Sequence, residues 1–420
     1  MKRISKGVLV ALFCAVLVLG NGVGVVCAEM SDNSEDSKEA RGASSLIGKF
    51  RSLFQLREEG ISRHKRVANS ETIKMPEGTN LTRNDIEKYI RERHEQGASL
   101  DIREGLGDNL SGLDLSRLDF NGANFLKVKM VNVNISLSTF VGAILEDADL
   151  SKATAQNTNF ASAAVNNANF DGADLKGSDF SNVSGEQAIF TNADLTGVQA
   201  VNANFKNANF TGAILNDVNF EHTCLDDGKF VGSKLTGGSF RSASMRYAEL
   251  SGSSWTSTNL TTANLEAVQA IGAEFDHVVL LGTNMHKANL HEAKLLYAYA
   301  EAANFREANL SESRLVSSIF FYASLKSANM QNSMLRLCVM TGANMVNADL
   351  SHATIHSAIM NEGLMSKANL KGTELKSVFM GSADLSDADL SGATITNSNL
   401  FNINLKGVIA ANVKLEGNKE

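Results

Sequence analysis

The side chains that could do covalent or metal chemistry are few and widely spaced. The chain has four cysteines and eight histidines among 420 residues. A nucleophilic thiol needs a base within hydrogen-bond reach, and a metal ion needs three or four converging N, S or O donors. His286 and His291 lie five residues apart, and His352 and His356 lie four apart and flank one corner of a five-residue repeat. Each pair supplies two donors and no third ligand. Cys224 and Cys338 are separated by 114 residues. No nucleophile–base set emerges, and no insertion is long enough to form a lid. An enzyme is not expected, nor a metal site, nor a cofactor.

What must position these residues is better defined than the residues themselves. Hydrophobic content of 43% with 20% charge is enough to fold. A single Pro excludes Pro-rich linkers and ligands. Aromatics at 6% and a pI near 5.7 argue against a nucleic-acid partner, which would want a basic face and stacking rings.

The N-terminus reads as an address. Lys2, Arg3 and Lys6 precede an apolar run over 8–19, and Val26-Cys27-Ala28 places small residues at −3 and −1. That pattern is a bacterial-style secretory signal peptide over 1–28, with cleavage expected after Ala28. An uncleaved anchor is the alternative, because ~20 apolar residues can span a bilayer. The protein is therefore expected to be exported, either periplasmic or secreted. Residues 29–44 read as a disordered polar tether. Residues 45–108 read as a helical N-terminal segment. In it Leu46, Ile47, Phe50, Leu53 and Phe54 define an amphipathic helix, followed by the basic run Arg63-His64-Lys65-Arg66. Peripheral membrane contact through 45–66 is one reading, and docking on the main domain is the favoured one. A second helix has Thr82 as N-cap with Asp85 three residues on, Ile86, Tyr89 and Ile90 on one face, and Gly97 as C-cap. It reads as the N-terminal lid of the repeat region.

From 109 to 415 the sequence has a period of five. Of the 62 positions at every fifth residue from Leu110 to Leu415, all but Ala155, Gly185, Ala200, Ala270, Ala300 and Ala410 are large and apolar. The residue two before each centre is Ala at 31 of 61 positions, and the residue just before it is often Asn or Asp. A 3.6-residue helix would rotate such positions all around its surface, and a plain strand wants period two. Five residues per unit require a corner at every unit, with two side chains inward and three outward. The pattern resembles the pentapeptide repeat family, A-[DN]-[LF]-x-x. The resemblance implies an all-β fold, a right-handed quadrilateral parallel β-helix with four units per coil and about 15 coils. Residues 416–420 are a charged tail. A twenty-residue coil is also visible in the residues: Phe120, Phe140, Phe160 and Phe180 form one ladder, and Phe170, Phe190, Phe210 and Phe230 another. At ~4.8 Å per coil the two cysteines of the repeats stand about 27 Å apart, too far for a disulfide. The C-terminal end has no lid in the sequence, and the resemblance makes an end-to-end dimer there plausible.

The resemblance offers two functions. Some cytoplasmic members mimic duplex DNA and protect gyrase. A DNA-mimicking topoisomerase- or gyrase-binding protein is thus the alternative here. Against it, residues 109–420 hold 30 acids and 22 bases. That is ~0.1 net charge per Å over a rod of roughly 75 Å, against one per ~1.7 Å in duplex DNA. The favoured reading is a non-enzymatic scaffold that binds a protein partner or itself. One outward column changes from polar to apolar: after Asn259 come Val279, Tyr299, Ile319, Val339, Ile359 and Phe379, and then Asn399. Leu281, Leu296, Tyr297, Phe321 and Tyr322 adjoin it, as do Val316 and Leu337. A stripe about 24 Å long on exposed surface marks an interaction site.

Overall fold

The computed structural model describes residues 13–19, 22–28 and 81–419. It divides into two units, 1–71 and 72–420. In the first unit, β1 (Phe13–Leu19) pairs antiparallel with β2 (Gly22–Ala28). The segment read as a signal peptide thus contains a hairpin, in keeping with its valine content. The tether over 29–44 and the basic segment over 45–66 lie outside the described residues. Among the described residues no helix is long and apolar enough to cross a membrane.

The second unit opens with α1 (Arg83–Glu95). Thr82 and Asp85 close a reciprocal capping box at its start. Gly97 sits one residue past the C-cap Gln96, at φ +59°, where the left-handed region favours glycine. Ile86, Tyr89 and Ile90 are buried, the Tyr89 hydroxyl donates to the Asp101 carbonyl at 2.7 Å, and Arg93 donates to the Ser99 carbonyl. A short helix α2 (Ile102–Leu106) comes next. Arg83 donates to the Ser116 carbonyl at 2.7 Å and Asp101 bridges to Asn124, which ties this lid to the first coils.

From Asn109 onward every coil takes twenty residues. Parallel bridges join residues twenty apart, from Asn109↔Lys129 to Asn399↔Lys419. The centre N–H donates to the carbonyl nineteen residues on, as Phe320 does to Val339 at 2.7 Å. The four sides are called here faces A, B, C and D, with centres in the columns of Phe320, Leu325, Met330 and Leu335. Only face D forms three-residue strands, β3 (Lys234–Thr236), β4 (Ser254–Thr256), β5 (Glu274–Asp276), β6 (Lys294–Leu296), β7 (Arg314–Val316), β8 (Met334–Arg336), β9 (Thr354–His356), β10 (Glu374–Lys376), β11 (Thr394–Thr396) and β12 (Lys414–Glu416). They make one ten-stranded parallel sheet. The continuous sheet therefore has nine steps, fewer than the about 15 coils read from the repeat. The other coil-to-coil contacts are single bridges, because a corner every five residues leaves little extended backbone between turns.

The interior is filled as the period requires. The centres from Leu110 to Ile395 and the small residues before them are buried almost throughout. Rings stack one coil apart: Phe160 and Phe180 at 4.7 Å, Phe170 and Phe190 at 5.1 Å with planes 4° apart. Met340, Met345, Met360, Met365 and Met380 are all core. Gly185 breaks the run of large centres because the Phe205 ring occupies its place, and a Cβ there would lie 2.5 Å from that ring. Leu405 and Leu415, inward positions of the final coil, are exposed.

Candidate protein-binding face

Each coil has one corner per face, and its second residue is left-handed throughout. Asn, Asp and Gly tolerate that conformation best. Where the residue before the centre is Asn or Asp, it serves the corner as well. On face C the Asn309 Oδ1 accepts from the Ser311 N–H at 3.2 Å, and the Asn329 Oδ1 from the Gln331 N–H at 3.1 Å. The same amides run up the face as a ladder, Asn309 Nδ2 to Asn289 Oδ1 and Asn329 Nδ2 to Asn309 Oδ1, both 3.1 Å.

Face A departs from this over six coils. Val279, Tyr299, Ile319, Val339, Ile359 and Phe379 bridge in strict register between Asn259 and Asn399. The structure brings all six onto one line. Val279, Tyr299, Ile319 and Val339 are half-buried by their neighbours, whereas Ile359 and Phe379 are 37% and 49% exposed. The stripe is thus flush with the surface at one end and raised at the other. An apolar side chain cannot accept from the corner amide two residues on. The N–H groups of Leu281, Glu301, Phe321 and Thr341 lack the acceptor that face C supplies, at roughly 0.5–1.5 kcal/mol each.

The flanking corners extend the stripe on both sides. Leu296 and Tyr297 stand at the D edge and Leu281, Phe321 and Tyr322 at the B edge. Tyr297 and Tyr322 are 54% and 65% exposed, with φ of 52° and 53°. Leu337, on the D edge, has φ 56° and is also exposed. Bulky residues held left-handed store strain. Tyr297 stacks on His277 at 4.7 Å, and the Tyr322 ring lies flat over Gly342, where a Cβ would come within 2.5 Å of it. The Tyr299 hydroxyl donates to the Glu301 carboxylate, which pushes the phenol above its ordinary range. These aromatics are held in place before anything binds.

The two edges differ in charge. On the D edge Lys294 pairs with Glu274 and His356 with Glu374, while Arg314, Arg336 and Lys376 are exposed with no ion pair among the described residues. On the B edge Glu301, Glu362 and Asp384 stand in coils that carry no Lys or Arg in the corresponding columns. A depression of about 270 Å³ lined by Met334, Arg336, His356 and Lys376 opens beside the stripe on the D side.

Among the described residues the cysteines and histidines of the repeats are spread over several coils, each with its own neighbours. Cys338 is buried, its Sγ donates to the Leu315 carbonyl at 3.0 Å, and burial pushes the thiol up to about 12. His356 pairs with Glu374 at 3.0 Å, and His352 lies under Gly372. His286 sits 3.7 Å from Glu266 and 3.6 Å from Glu307. His291 meets Glu292 and Glu312, a grouping that spacing within one stretch of chain could not reveal because Glu312 arrives from the next coil. Their donor atoms lie within 4.8 Å of one another. The two glutamates are exposed, and the His291 Nδ1 already lies within hydrogen-bond distance of the Ser311 Oγ, at 2.9 Å.

A family model described as pentapeptide repeats matches eight stretches, 109–136, 143–182, 188–227, 258–295, 283–320, 301–336, 318–356 and 364–400, together more than half of the chain. The chain belongs to the pentapeptide repeat family. No curated protein matches it. Among solved pentapeptide repeat structures, HetL from the cyanobacterium Nostoc, involved in heterocyst differentiation regulation, is 24% identical, covering 57% of this chain and 95% of that one at a TM-score of 0.30. A pentapeptide repeat protein of the Arabidopsis thaliana thylakoid lumen is 28% identical over 25% of this chain and 69% of its own, at a TM-score of 0.18. Full-length QnrB1, a plasmid-mediated fluoroquinolone resistance protein, is 17% identical over 58% of this chain and 91% of its own, at 0.16. In this pentapeptide repeat protein, face A is where six consecutive coils put an apolar residue before the centre, whereas face D replaces the Asn or Asp mostly with charged or hydroxyl side chains.

Proposed function

We propose that this pentapeptide repeat protein is a non-enzymatic binding scaffold, exported through residues 1–28, whose contact surface is face A between Val279 and Phe379. The observation that carries the reading is the replacement of Asn or Asp by apolar residues in six consecutive coils of one face. The exchange leaves the corner amides of Leu281, Glu301, Phe321 and Thr341 without that acceptor, and the aromatics beside it occupy strained corners. Both costs are tolerated where a surface is used. A contiguous apolar patch rimmed by charge fits a protein partner. The acids of the rod are spent differently: Asp349, for example, accepts from Ser351, Gln331 and Asn369 within the ladder. Duplex mimicry draws no comparable support.

The test is photo-crosslinking in the producing cell with a benzophenone amino acid placed at Tyr322 and, separately, at Asn329 on the opposite side. Discrete adducts from position 322, absent from 329 and from an Ile319→Lys/Ile359→Lys background, are expected. Equal labelling from both positions, or none from 322, overturns the reading. Export is checked by the mature N-terminus, expected at Glu29.

A further inference from the structure

We infer that the occupant of face A is a second copy of this chain, laid face to face with the two rods parallel. The inference rests on the binding role of the face proposed above and takes its partner from the charges at the edges. Two identical faces can meet about a two-fold axis in two ways. With the axis along the rods, the chains run parallel and the D edge of each meets the B edge of the other. With the axis across the rods, they run antiparallel and D meets D. Among the described residues the D edge carries the unpaired cations Arg314, Arg336 and Lys376, while its acids Glu274, Asp276 and Glu374 already face Lys294, His277 and His356, and the B edge carries Glu301 and Glu362 without a neighbouring base. The antiparallel arrangement sets cations against cations. The parallel one sets opposite charges against each other, which complementary interfaces do.

The heights agree as well. Arg314 and Glu301 differ by 13 residues in a coil of twenty, and Lys376 and Glu362 by 14. At ~4.8 Å per coil each pair is offset by about 3 Å along the axis, within salt-bridge reach. The same symmetry places Ile319 against Ile319 and Ile359 against Ile359, so the flush and raised ends of each stripe meet their own kind. The interface so formed has an apolar centre and a charged rim.

The experiment starts with the solution mass of the mature protein, residues 29–420, by light scattering, expected at twice that of the single chain; this form keeps Cys224 and Cys338 and lacks Cys14 and Cys27. Ile319→Asn/Ile359→Asn, which restores the repeat's own residue type and preserves the fold, is expected to yield monomer. Arg314→Glu and Glu301→Arg are each expected to weaken the dimer about tenfold, and the two together to restore it. Orientation is read in a Cys224→Ser background. Val279→Cys and Phe379→Cys should each form disulfide-linked dimers alone, because a parallel pair brings every residue of the stripe near its own copy. A monomeric wild type overturns the self-pairing and leaves the photo-crosslinks to decide for another partner. A dimer that survives the Asn substitutions, and splits instead on Leu405→Lys, overturns it in favour of the rod's C-terminal end. Cross-linking only in a mixture of the two cysteine variants overturns the parallel arrangement.

Discussion

Faces A and C of the same six coils share a backbone fold, a core and a register, and part company at the residue before the centre, apolar on A and Asn or Asp on C. On face C, Asn289, Asn309 and Asn329 clamp the corner amide and one another. On face A, Tyr299, Ile319 and Val339 do neither. The coil closes in both cases, so the side-chain ladder is an addition to the stability of the solenoid and not its source. What the repeat needs is the buried centre and the small residue before it. The position between them can be given to recognition.

That contrast can be broken from the inside. Phe320 is fully buried beneath face A and packs on Phe305 at 5.6 Å. Phe320→Ala should cost ~3–5 kcal/mol. Hydrogen exchange should show both faces of the adjoining coils losing protection together, since the core is common to them. A loss confined to face A would mean that the faces are stabilised separately.

The contrast can be sharpened from the outside. Asn309→Val/Asn329→Val should convert face C locally into a copy of face A and cost about 1–3 kcal/mol, one hydrogen-bonded corner for each substitution. The reverse change, Ile319→Asn/Val339→Asn, should leave the melting temperature equal or higher while binding is lost. A clear fall in melting temperature would show that the apolar ladder serves stability.

The smallest effect is on acidification. Burial works against the Asp349 carboxylate, but the Ser351 N–H, Gln331 and Asn369 outweigh it and hold its pKa below the ordinary range. Bonds from Ser391 do the same for Asp389. Both belong to face C, and face A has no such group. A carboxylate held low contributes stability above its ordinary pKa of ~3.9 and loses it as the pH falls through the folded value. Exchange protection on face C should therefore decline at acid pH before that on face A.

The fold was legible because its rule is local and repeated. A large residue every five positions, with a small one two before it, leaves no other periodic structure available. The phenylalanine ladders, the buried Cys338 and the helix cap of Thr82 and Asp85 follow from spacing alone. Less legible were matters of shape. Gly185 is an exception to the pattern until the Phe205 ring is seen filling its space. Only face D has backbone straight enough for three-residue strands, which no composition announces. The meeting of His291 with Glu312 depends on the neighbouring coil. The stripe itself was visible in the column of residues, but its half-burial from Val279 to Val339, the strained corner tyrosines and the unequal charge of its two edges depend on how the corners fold.

The right-angled corner makes chain length a measure of direction. Twenty residues added between the lid and Val279 would move the apolar face one coil outward and leave its bearing unchanged. Five residues would turn it by a quarter of a revolution, with the backbone ladder kept and only the side chains stacked across the junction exchanged. Because each coil answers only to its neighbours, the effect of such a change on stability is confined to the junction. Duplication or loss of a single unit is thus a steering mutation, able to re-aim a binding surface about the rod without redesigning it.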